Sequence, residues 1–409
     1  MPDDAFGAGL AGGAGEARSA RQAVAVANGA HAVHDGLSDL LYVFFPVWQA
    51  ALGLDYAAVG ALKACYSGAM AAFQLSATRL AQRLGYTPVL AGGTVLAGLG
   101  LFAAAHVGGF AALALALLAA GAGASVQHPL ASDIVAKVTP APRRRQALGL
   151  YNAAGDIGKV LFPALATVAL LALSAATTLQ GIALVAIVAG GMIALLLSRR
   201  PGPSQEVGVA TPETATTMQP SVFGQPGFAA LFGVGMIDTA ARAGFLTFFP
   251  LALAAKGASP AIVGLALTLV FVGGAVGKFV CGPLGARFGV LATVAVTEGM
   301  TALGALAAPF APLWLALALA PLIGVALNGT STVLYGTVPE LVPEPTRPRA
   351  FGLFYTGTIG AGAATPILLG LLGDALSLAA AMTALAGFVL IAPVLALALR
   401  APLSRLRIS

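Results

Sequence analysis

The sequence predicts an all-α polytopic membrane protein with twelve transmembrane helices, arranged as two six-helix halves that are pseudo-symmetric parallel repeats. Three observations predict this fold: the composition, the number of apolar stretches, and a weak similarity between the two halves of the chain. Of the 409 residues, 58% are hydrophobic and only 9% are charged, whereas soluble domains carry about 25% charged residues. This composition argues against a soluble enzyme.

Twelve apolar stretches are separated by polar residues, prolines and glycines. A membrane-spanning helix needs about 20 apolar residues, so each stretch predicts one crossing. The stretches lie near residues 22–50, 57–79, 87–106, 110–136, 146–173, 178–198, 227–254, 260–284, 289–308, 313–337, 349–372 and 377–398.

The longest polar interruption, residues 199–226, divides the chain into two halves. It is rich in Pro, Thr and Gln and cannot bury a core, so we expect a cytoplasmic linker. We therefore expect six-helix bundles at 22–198 and 227–398, and cytoplasmic tails at 1–21 and 399–409. The first tail has acids and a Gly/Ala run where a signal peptide has a basic and then a hydrophobic region.

The distribution of Lys and Arg predicts the orientation of the chain. Sixteen of the 21 basic residues fall in loops and tails on one side of the membrane, and only Lys256 falls on the other. Because cytoplasmic loops carry an excess of basic residues, we expect both termini in the cytoplasm and the protein in the inner (plasma) membrane. The net charge of +6 then reflects topology, and no nucleic-acid partner is expected.

The two halves share short sequence matches at a constant offset. Residues 44–46 and 248–250 both read FFP, and Arg83 aligns with Arg287. Because an even number of helices precedes the second copy, both copies start on the same side of the membrane. They are therefore predicted to be parallel repeats related by an axis along the membrane normal, an arrangement found in transporters.

This pattern resembles the major facilitator superfamily, whose members have two six-helix halves and transport solutes by alternating access. The resemblance covers essentially the whole chain. The superfamily signature between helices 2 and 3 is represented by ATRLAQRLGYTP, which keeps Arg83 but has Gln82 where an acid is usual. The second copy keeps Arg287 and has Ala286 at the acid position. The resemblance implies that Arg83 and Arg287 lie in gating loops.

Two segments also resemble the fosmidomycin-resistance branch of drug exporters. HAVHDGLSDLLYVFFP contains His31, an acid four residues later at Asp35, and Pro46 eleven residues after that. QHPLASDIVA in helix 4 contains His128 followed by Pro129. This narrower resemblance implies efflux of a drug-like compound.

Helix 1 carries a stripe of polar residues. His31, Asp35, Ser38, Asp39 and Tyr42 lie at intervals that place them on one helical face. An ionisable group at membrane depth is costly, so it marks a solute or ion pathway. A His and an Asp one turn apart can exchange protons, which makes them proton-coupling candidates. The alternative is that they only hydrogen-bond to each other and to neighbouring helices.

His128 lies at a depth in helix 4 similar to that of His31, and we assign it to the same proton-coupling group. Helix 5 carries Asn152, Asp156 and Lys159, and helix 7 carries Asp238 and Arg242. In each helix an acid and a base share a face and could neutralise each other. Alternatively, the bases attract a substrate anion, which favours an anionic or zwitterionic solute.

Further polar residues are predicted to line the other wall. The predicted substrate-binding residues are Asp39, Tyr42, Gln127, Asn152, Asp156, Lys159, Asp238, Arg242, Asn328, Tyr335 and Tyr355. Lys63 and Lys278 lie near helix ends, where long side chains extend to the interface. Glu298 stands alone in helix 9, which is usually peripheral in this fold, so no ligand contact is expected for it.

The sequence offers no group that would bind a cofactor. No phosphate-binding GxxxxGK[ST] segment is present, so a proton gradient rather than ATP is expected to supply the energy. Cys65 and Cys281 both lie in apolar stretches, and neither a disulfide nor a metal site is expected. The expected partners are a small-molecule solute, protons and the lipid bilayer, and the protein is expected to be a monomer.

The sequence leaves three hypotheses of function open. The first is a proton-coupled secondary active transporter that exports a small anionic or zwitterionic organic compound by alternating access. The second is a symporter that imports an organic acid, a phosphonate-like compound or a metal chelate. The third is a non-transporting membrane assembly or signalling module. An enzyme is not expected, because no nucleophile with a base and an orienting group is found at the depth of the polar residues.

Overall fold

The computed structural model describes residues 4–198 and 221–406, and every regular element in these two ranges is a helix. The membrane spans are α1 (Asp4–Leu52), α2 (Tyr56–Leu84), α3 (Tyr86–Ala104), α4 (Phe110–Val138), α5 (Ala141–Ala169), α6 (Ala175–Ser198), α7 (Phe228–Ala255), α8 (Pro260–Phe288), α9 (Val290–Ala307), α10 (Leu313–Leu341), α11 (Arg347–Ala375) and α12 (Leu378–Arg405).

Within the described ranges, nine of these helices are long and apolar enough to cross a membrane by length and composition alone. The remaining three, α1, α2 and α5, carry intramembrane charges such as Asp35, Lys63 and Lys159, which lower their mean hydropathy. α2 and α5 have 29 residues each, more than the roughly 20 needed to span. The predicted all-α fold is therefore confirmed, and twelve spans agree with it.

Two helices differ from the predicted stretches. α1 begins at Asp4, so residues 4–21 continue the first helix instead of forming a separate tail. α4 is interrupted between Phe110–Ala124 and Gln127–Val138. The ring of Pro129 excludes an ordinary helical bond to the carbonyl four residues earlier, and the interruption lies at that point.

The predicted linker lies mostly outside the described residues, which resume at residue 221. A short 3₁₀ turn, Val222–Gly224, leads into α7. At the other end of the C-terminal half, the predicted tail at 399–409 is helical through Leu406, so the last span extends into it.

The repeat is visible in the turns after α2 and α8. Gly85 follows α2 with a φ of 92°, and Gly289 follows α8 with a φ of 88°. A side chain is strained at such angles, so glycine is required at both turns. The FFP segments of α1 and α7 also correspond, because Phe44, Phe45, Phe248 and Phe249 all lie in one buried core cluster.

The two halves meet through α2 with α11 and through α5 with α8. We call the end of the bundle with the α1–α2 loop the Asp55 end, and the opposite end the Arg83 end. A Cβ added to Gly60 would come within 2.2 Å of the Pro366 carbonyl oxygen, and one added to Gly264 within 2.3 Å of the Thr167 hydroxyl. Small residues therefore let the halves approach closely at and near the Asp55 end.

One carboxylate joins the halves at this end. Asp374 of α11 accepts hydrogen bonds from the backbone amides of Tyr56 and Ala57, both at 2.8 Å. These amides belong to the first turn of α2 and have no partner within that helix. The C-terminal half thus caps a helix of the N-terminal half, next to Asp55, which caps the same helix through Ala58 at 2.7 Å.

Candidate functional site

Three cationic or basic side chains converge on Asp35 where α1, α4 and α5 meet. His31 Nε2 lies 3.3 Å from Asp35 Oδ2, and His128 Nε2 lies 3.7 Å from Oδ1. Lys159 Nζ lies 3.3 Å from Oδ2. We call these four residues the Asp35 cluster. It brings together the three residues that the sequence predicted for proton coupling and adds Lys159, which was predicted for substrate binding.

The orientation of His31 is fixed by Tyr151. His31 Nδ1 lies 2.7 Å from the Tyr151 carbonyl oxygen, and the two rings stack with centroids 4.0 Å apart. A carbonyl oxygen only accepts, so Nδ1 must carry a hydrogen. Nε2 then presents a lone pair to the Asp35 carboxylate unless one more proton is present. The His31–Asp35 contact becomes a hydrogen bond only when His31 or Asp35 binds that proton.

The Asp35 cluster is partly exposed, through His128 and Lys159. The side chain of Asp35 is 12% exposed and that of His31 is 4% exposed, whereas His128 is 45% exposed and Lys159 is 30% exposed. Polar groups exposed at membrane depth need water or a solute, because lipid does not solvate them. His128 and Lys159 therefore form the exposed part of the Asp35 cluster.

His31, Asp35 and His128 also place three potential metal-ligand atoms within 4.8 Å of one another. The Lys159 ammonium already supplies a positive charge at Oδ2 of the same carboxylate, 3.3 Å away. A divalent ion at this position would have to displace that ammonium. We therefore assign the charge balance of Asp35 to Lys159 and the histidines.

A second ion pair joins the two halves in the interior. Lys278 of α8 contacts Asp156 of α5, with Nζ 2.5 Å from Oδ1. The expectation that Lys278 extends to the interface is therefore wrong, because a carboxylate in the facing half is within reach. Asp156 and Lys159 share a helix but bind different partners, so they do not neutralise each other. Asn152, one turn before Asp156, is exposed.

Lys63 is also retained inside the bundle. It is 7% exposed, and its ammonium lies over the ring of Tyr42 at 4.5 Å from the centroid and near that of Tyr66 at 5.8 Å. Cation–π contacts of this kind stabilise a desolvated ammonium. The expectation of an interfacial Lys63 is therefore wrong. The ring of Tyr42, which belongs to the polar stripe, is covered by the Lys63 ammonium. Asp39, one turn before, is half-buried.

The predicted acid–base pair of α7 is not formed. Asp238 and Arg242 are four residues apart, but no nitrogen–oxygen distance of 4.0 Å or less joins them, and Arg242 has no ion pair with any described residue. Asp238 instead contacts Glu298 of α9. Arg242 is half-buried, so its guanidinium remains available to an anion.

The neutral candidates make three different kinds of contact. Gln127 donates to the Tyr151 hydroxyl at 3.2 Å and so supports the residue that orients His31. Asn328 donates to the Gly324 carbonyl at 3.4 Å and stays with its own helix. Tyr335 and Tyr355 stack with centroids 4.9 Å apart, forming an aromatic surface on the C-terminal half.

The two candidate gating residues lie at the Arg83 end. Arg83 and Arg287 are both exposed, and neither forms an ion pair with another residue in ranges 4–198 and 221–406. Arg287 lies over the ring of Phe288, with its Cζ 5.3 Å from the centroid. A nearby cleft of about 880 Å³, lined by Gly289, Glu340 and Arg400 among others, contains none of the predicted site residues.

The family of the chain follows from comparison with known proteins. The model of the Major Facilitator Superfamily matches residues 29–252 and 231–407, which together cover nearly the whole chain. The chain belongs to the Major Facilitator Superfamily. Superfamily membership makes it a transporter and not an enzyme, and a multi-pass membrane protein that binds a small-molecule solute.

Solved structures of superfamily transporters share this fold. A bacterial homolog to human lysosomal transporter Spinster has a TM-score of 0.72 in an inward-facing and occupied conformation, at 15% identity, covering 92% of this chain and 96% of that one. Its inward-facing and unoccupied conformation has a TM-score of 0.78 at 15% identity, covering 93% and 97%. A mutant of the nucleoside transporter NupG has a TM-score of 0.72 at 15% identity, covering 91% and 98%. No curated protein sequence matches the chain.

Within this superfamily fold, the sequence does not reveal the roles of four contact residues. Tyr151 and Asp374 act through backbone or surface contacts and carry no charge at membrane depth that would single them out. For Lys278 the sequence predicts a position at the interface, and for Glu298 a position in a peripheral helix. Their partners lie on other helices, and helical periodicity does not indicate which helix will face them.

Proposed function

We propose that this transporter is a proton-coupled exporter of a small anionic or zwitterionic organic compound, and that its motifs place it with the fosmidomycin-resistance branch of drug efflux antiporters. The observation that carries the proposal is the orientation of His31. Its Nδ1 donates to Tyr151 at 2.7 Å, so its Nε2 and Asp35, 3.3 Å apart, need one proton between them. His31, Asp35 and His128 are the proposed proton-coupling residues.

The geometry also supports a link between proton and solute. His31 Nε2 and Lys159 Nζ both lie 3.3 Å from Oδ2 of Asp35, so a proton and a cationic group compete for the same oxygen. The ammonium group of a zwitterionic solute would compete in the same way and expel the proton. Such mutual exclusion gives exchange of solute for proton, which is export when the proton gradient is directed inward.

A second candidate function follows from the contact between Lys159 and Oδ2 of Asp35. When Asp35 binds a proton, its attraction for Lys159 weakens and the ammonium can bind a solute anion. A purely anionic solute would then bind together with the proton, which gives symport. This favours import of an organic acid, a phosphonate-like compound or a metal chelate as the alternative.

The remaining assignments belong to the same proposal. Lys159 and Arg242 attract the solute anion, and the other predicted contacts line its path. The Arg83 end faces the cytoplasm of an inner (plasma) membrane, with both termini on that side. The bundles comprise residues 22–198 and 227–398 with a cytoplasmic linker at 199–226, the protein is a monomer, and the proton gradient is the energy source.

Proton movement across proteoliposomes tests the proposal. The protein is reconstituted with a pH-sensitive dye inside, and fosmidomycin, the compound that gives the branch its name, and a panel of zwitterionic compounds are added outside. Exchange predicts that the solute drives protons out against the direction of solute movement, and symport predicts proton entry with the solute. Asp35→Asn should abolish either signal, whereas Asp133→Asn should retain it.

Asp133 is a suitable control because it pairs with Lys137 at 2.7 Å and accepts from Tyr86 at 2.5 Å, away from the Asp35 cluster. Uphill transport that survives in Asp35→Asn would overturn the coupling assignment. The absence of any solute-driven proton signal across the panel would overturn proton coupling altogether.

A further inference from the structure

The C-terminal half contains a second buried acid that the proposed proton-coupling group does not include. Asp238 of α7 is 4% exposed and Glu298 of α9 is 1% exposed, and the two carboxyl groups are neighbours that act on each other electrostatically. Two carboxylates have only acceptor oxygens, so a hydrogen bond between them requires a proton on one of them. Two neighbouring carboxyl groups in a buried site do not readily ionise together, so the pair is most stable with one proton.

The hydroxyl groups around Glu298 point to the same conclusion. Thr297 donates to the Thr293 carbonyl at 2.8 Å, and Thr330 donates to Thr297 at 2.7 Å. Each hydroxyl has a single hydrogen, and that of Thr330 is directed to Thr297, so it is not offered to Glu298. Oε2 of Glu298 is buried with no hydrogen-bond partner. Oε2 of Glu298 thus lacks a donor, as expected for an acid that carries its own proton.

Few other titratable groups act on the pair. Arg242, one turn along α7, and Tyr335 of α10 are the other titratable groups that act on Asp238 or Glu298, and Arg242 makes no ion pair with either. With one shared proton, the pair carries one negative charge and Arg242 balances it. With no proton, two carboxylates would lie in contact in a buried site, which is strongly unfavourable unless Arg242 moves to them.

We propose that Asp238 and Glu298 form a second, exchangeable proton-binding site, and that its occupancy controls whether Arg242 is available to a solute anion. The proposal rests on the proposed function, because it assigns Arg242 to the solute. Loss of the proton adds a negative charge that draws Arg242 towards the pair. Binding of the proton releases the guanidinium to the solute.

Infrared difference spectroscopy tests the proposal without a known solute. The reconstituted protein is titrated from mildly acidic to alkaline pH while the C=O stretching band of protonated carboxylic acids is recorded in H₂O and D₂O. The expected result is a band that persists at neutral pH, shifts in D₂O and disappears reversibly at alkaline pH. Glu298→Gln should remove this band.

Two further variants make the assignment specific. Asp238→Asn removes the partner and should change the frequency or the titration of the band, and it provides the same test if Glu298→Gln fails to fold. Asp35→Asn should leave the band unchanged, because Asp35 lies in the N-terminal half and is surrounded by cations. Coupling at Asp35 can therefore fail while the band remains, and the two proposals are separable.

Three outcomes would overturn the proposal. One is the absence of a protonated-acid band at neutral pH in the unmodified protein. Another is a band that both Glu298→Gln and Asp238→Asn leave unaltered. The third is a band that belongs to Glu298 but neither exchanges in D₂O nor titrates, since that proton would be a fixed structural element.

Discussion

The two halves of this transporter have the same fold but treat their buried acids in opposite ways. In the N-terminal half, Asp35 is surrounded by His31, His128 and Lys159, all within 3.7 Å. In the C-terminal half, Asp238 contacts another acid, Glu298, and the nearest cation, Arg242, does not pair with it. Asp35 therefore faces bases that can share or take its proton, whereas Asp238 and Glu298 are stable side by side when one of them holds a proton.

The two halves therefore share their backbone fold but not the arrangement of their buried charges. The turn glycines Gly85 and Gly289 and the buried FFP segments are retained in both halves, because backbone geometry and packing require them. The acids do not align exactly: at the offset that pairs the FFP segments, Asp238 of α7 corresponds to His34 of α1, next to Asp35, and its neighbour Glu298 lies in α9. The halves can therefore contribute different electrostatic steps to one alternating-access cycle.

Asparagine substitutions should produce the largest contrast between the halves. Asp35→Asn leaves Lys159 and two histidines without their carboxylate, and removing one member of a buried ion pair costs about 3 kcal/mol. Asp238→Asn replaces an acid that shares a proton with an amide of similar shape that can donate, so we expect a change below about 1 kcal/mol. Thermal or chemical unfolding in detergent micelles measures both.

A double variant sharpens this result. Adding Lys159→Met to Asp35→Asn removes the unpaired ammonium, and it should recover part of the lost free energy of unfolding. Equal losses for Asp35→Asn and Asp238→Asn would contradict the comparison, because they would mean that both acids are ionised and paired to a similar extent.

Helical periodicity indicates which residues of one helix share a face, and this was enough to predict part of the Asp35 cluster. The 3.6-residue period of α1 placed His31 and Asp35 on one face, and their 3.3 Å contact requires only that one helix. Membrane depth, read from the apolar stretches, also suggested that His128 lies level with His31. Local geometry therefore predicted the members of the Asp35 cluster that share a helix or a depth.

Contacts between different helices were less predictable. Lys278 was assigned to the interface from its distance to a helix end, but Asp156 of the other half lies 2.5 Å away. The usually peripheral position of helix 9 predicts no ligand contact for Glu298, yet its side chain is only 1% exposed. The rotation of each helix about its axis decides such contacts, and an apolar sequence with small residues on several faces does not specify that rotation.

The cross-half ion pair should give an effect of intermediate size. Asp156→Lys or Lys278→Asp alone places like charges in contact, and for these partly exposed side chains we expect a loss of about 2 kcal/mol. The exchanged pair Asp156→Lys with Lys278→Asp restores opposite charges and should recover most of the loss. Unfolding in detergent and solute-driven proton flux give the two readouts.

Recovery in the exchanged pair would show that the halves are joined by the charge contact itself. Two single losses that simply add in the double variant would instead indicate independent roles, for example a direct contact of Lys278 with the solute. In that case Lys278 of the C-terminal half would act on the solute directly, in addition to the Asp35 cluster of the N-terminal half.

The smallest effect is expected where the C-terminal half caps α2. Asp374→Ala removes two 2.8 Å hydrogen bonds to Tyr56 and Ala57, and loss of a helix cap costs about 1 kcal/mol. Because this cap comes from the other half, the loss should favour opening of the Asp55 end by about fivefold. Spin labels on Ala51 and Leu376, both exposed, would report a larger population at long distance.

Asp55→Ala provides the matched control for Asp374. It removes a cap of the same helix end, through Ala58 at 2.7 Å, but the cap lies within the N-terminal half. It should lower stability by a similar amount without changing the distance between the labels. A distance change of equal size in both variants would mean that fraying of α2, and not separation of the halves, opens this end. The Asp374 contact acts on the conformational equilibrium only if the two variants differ.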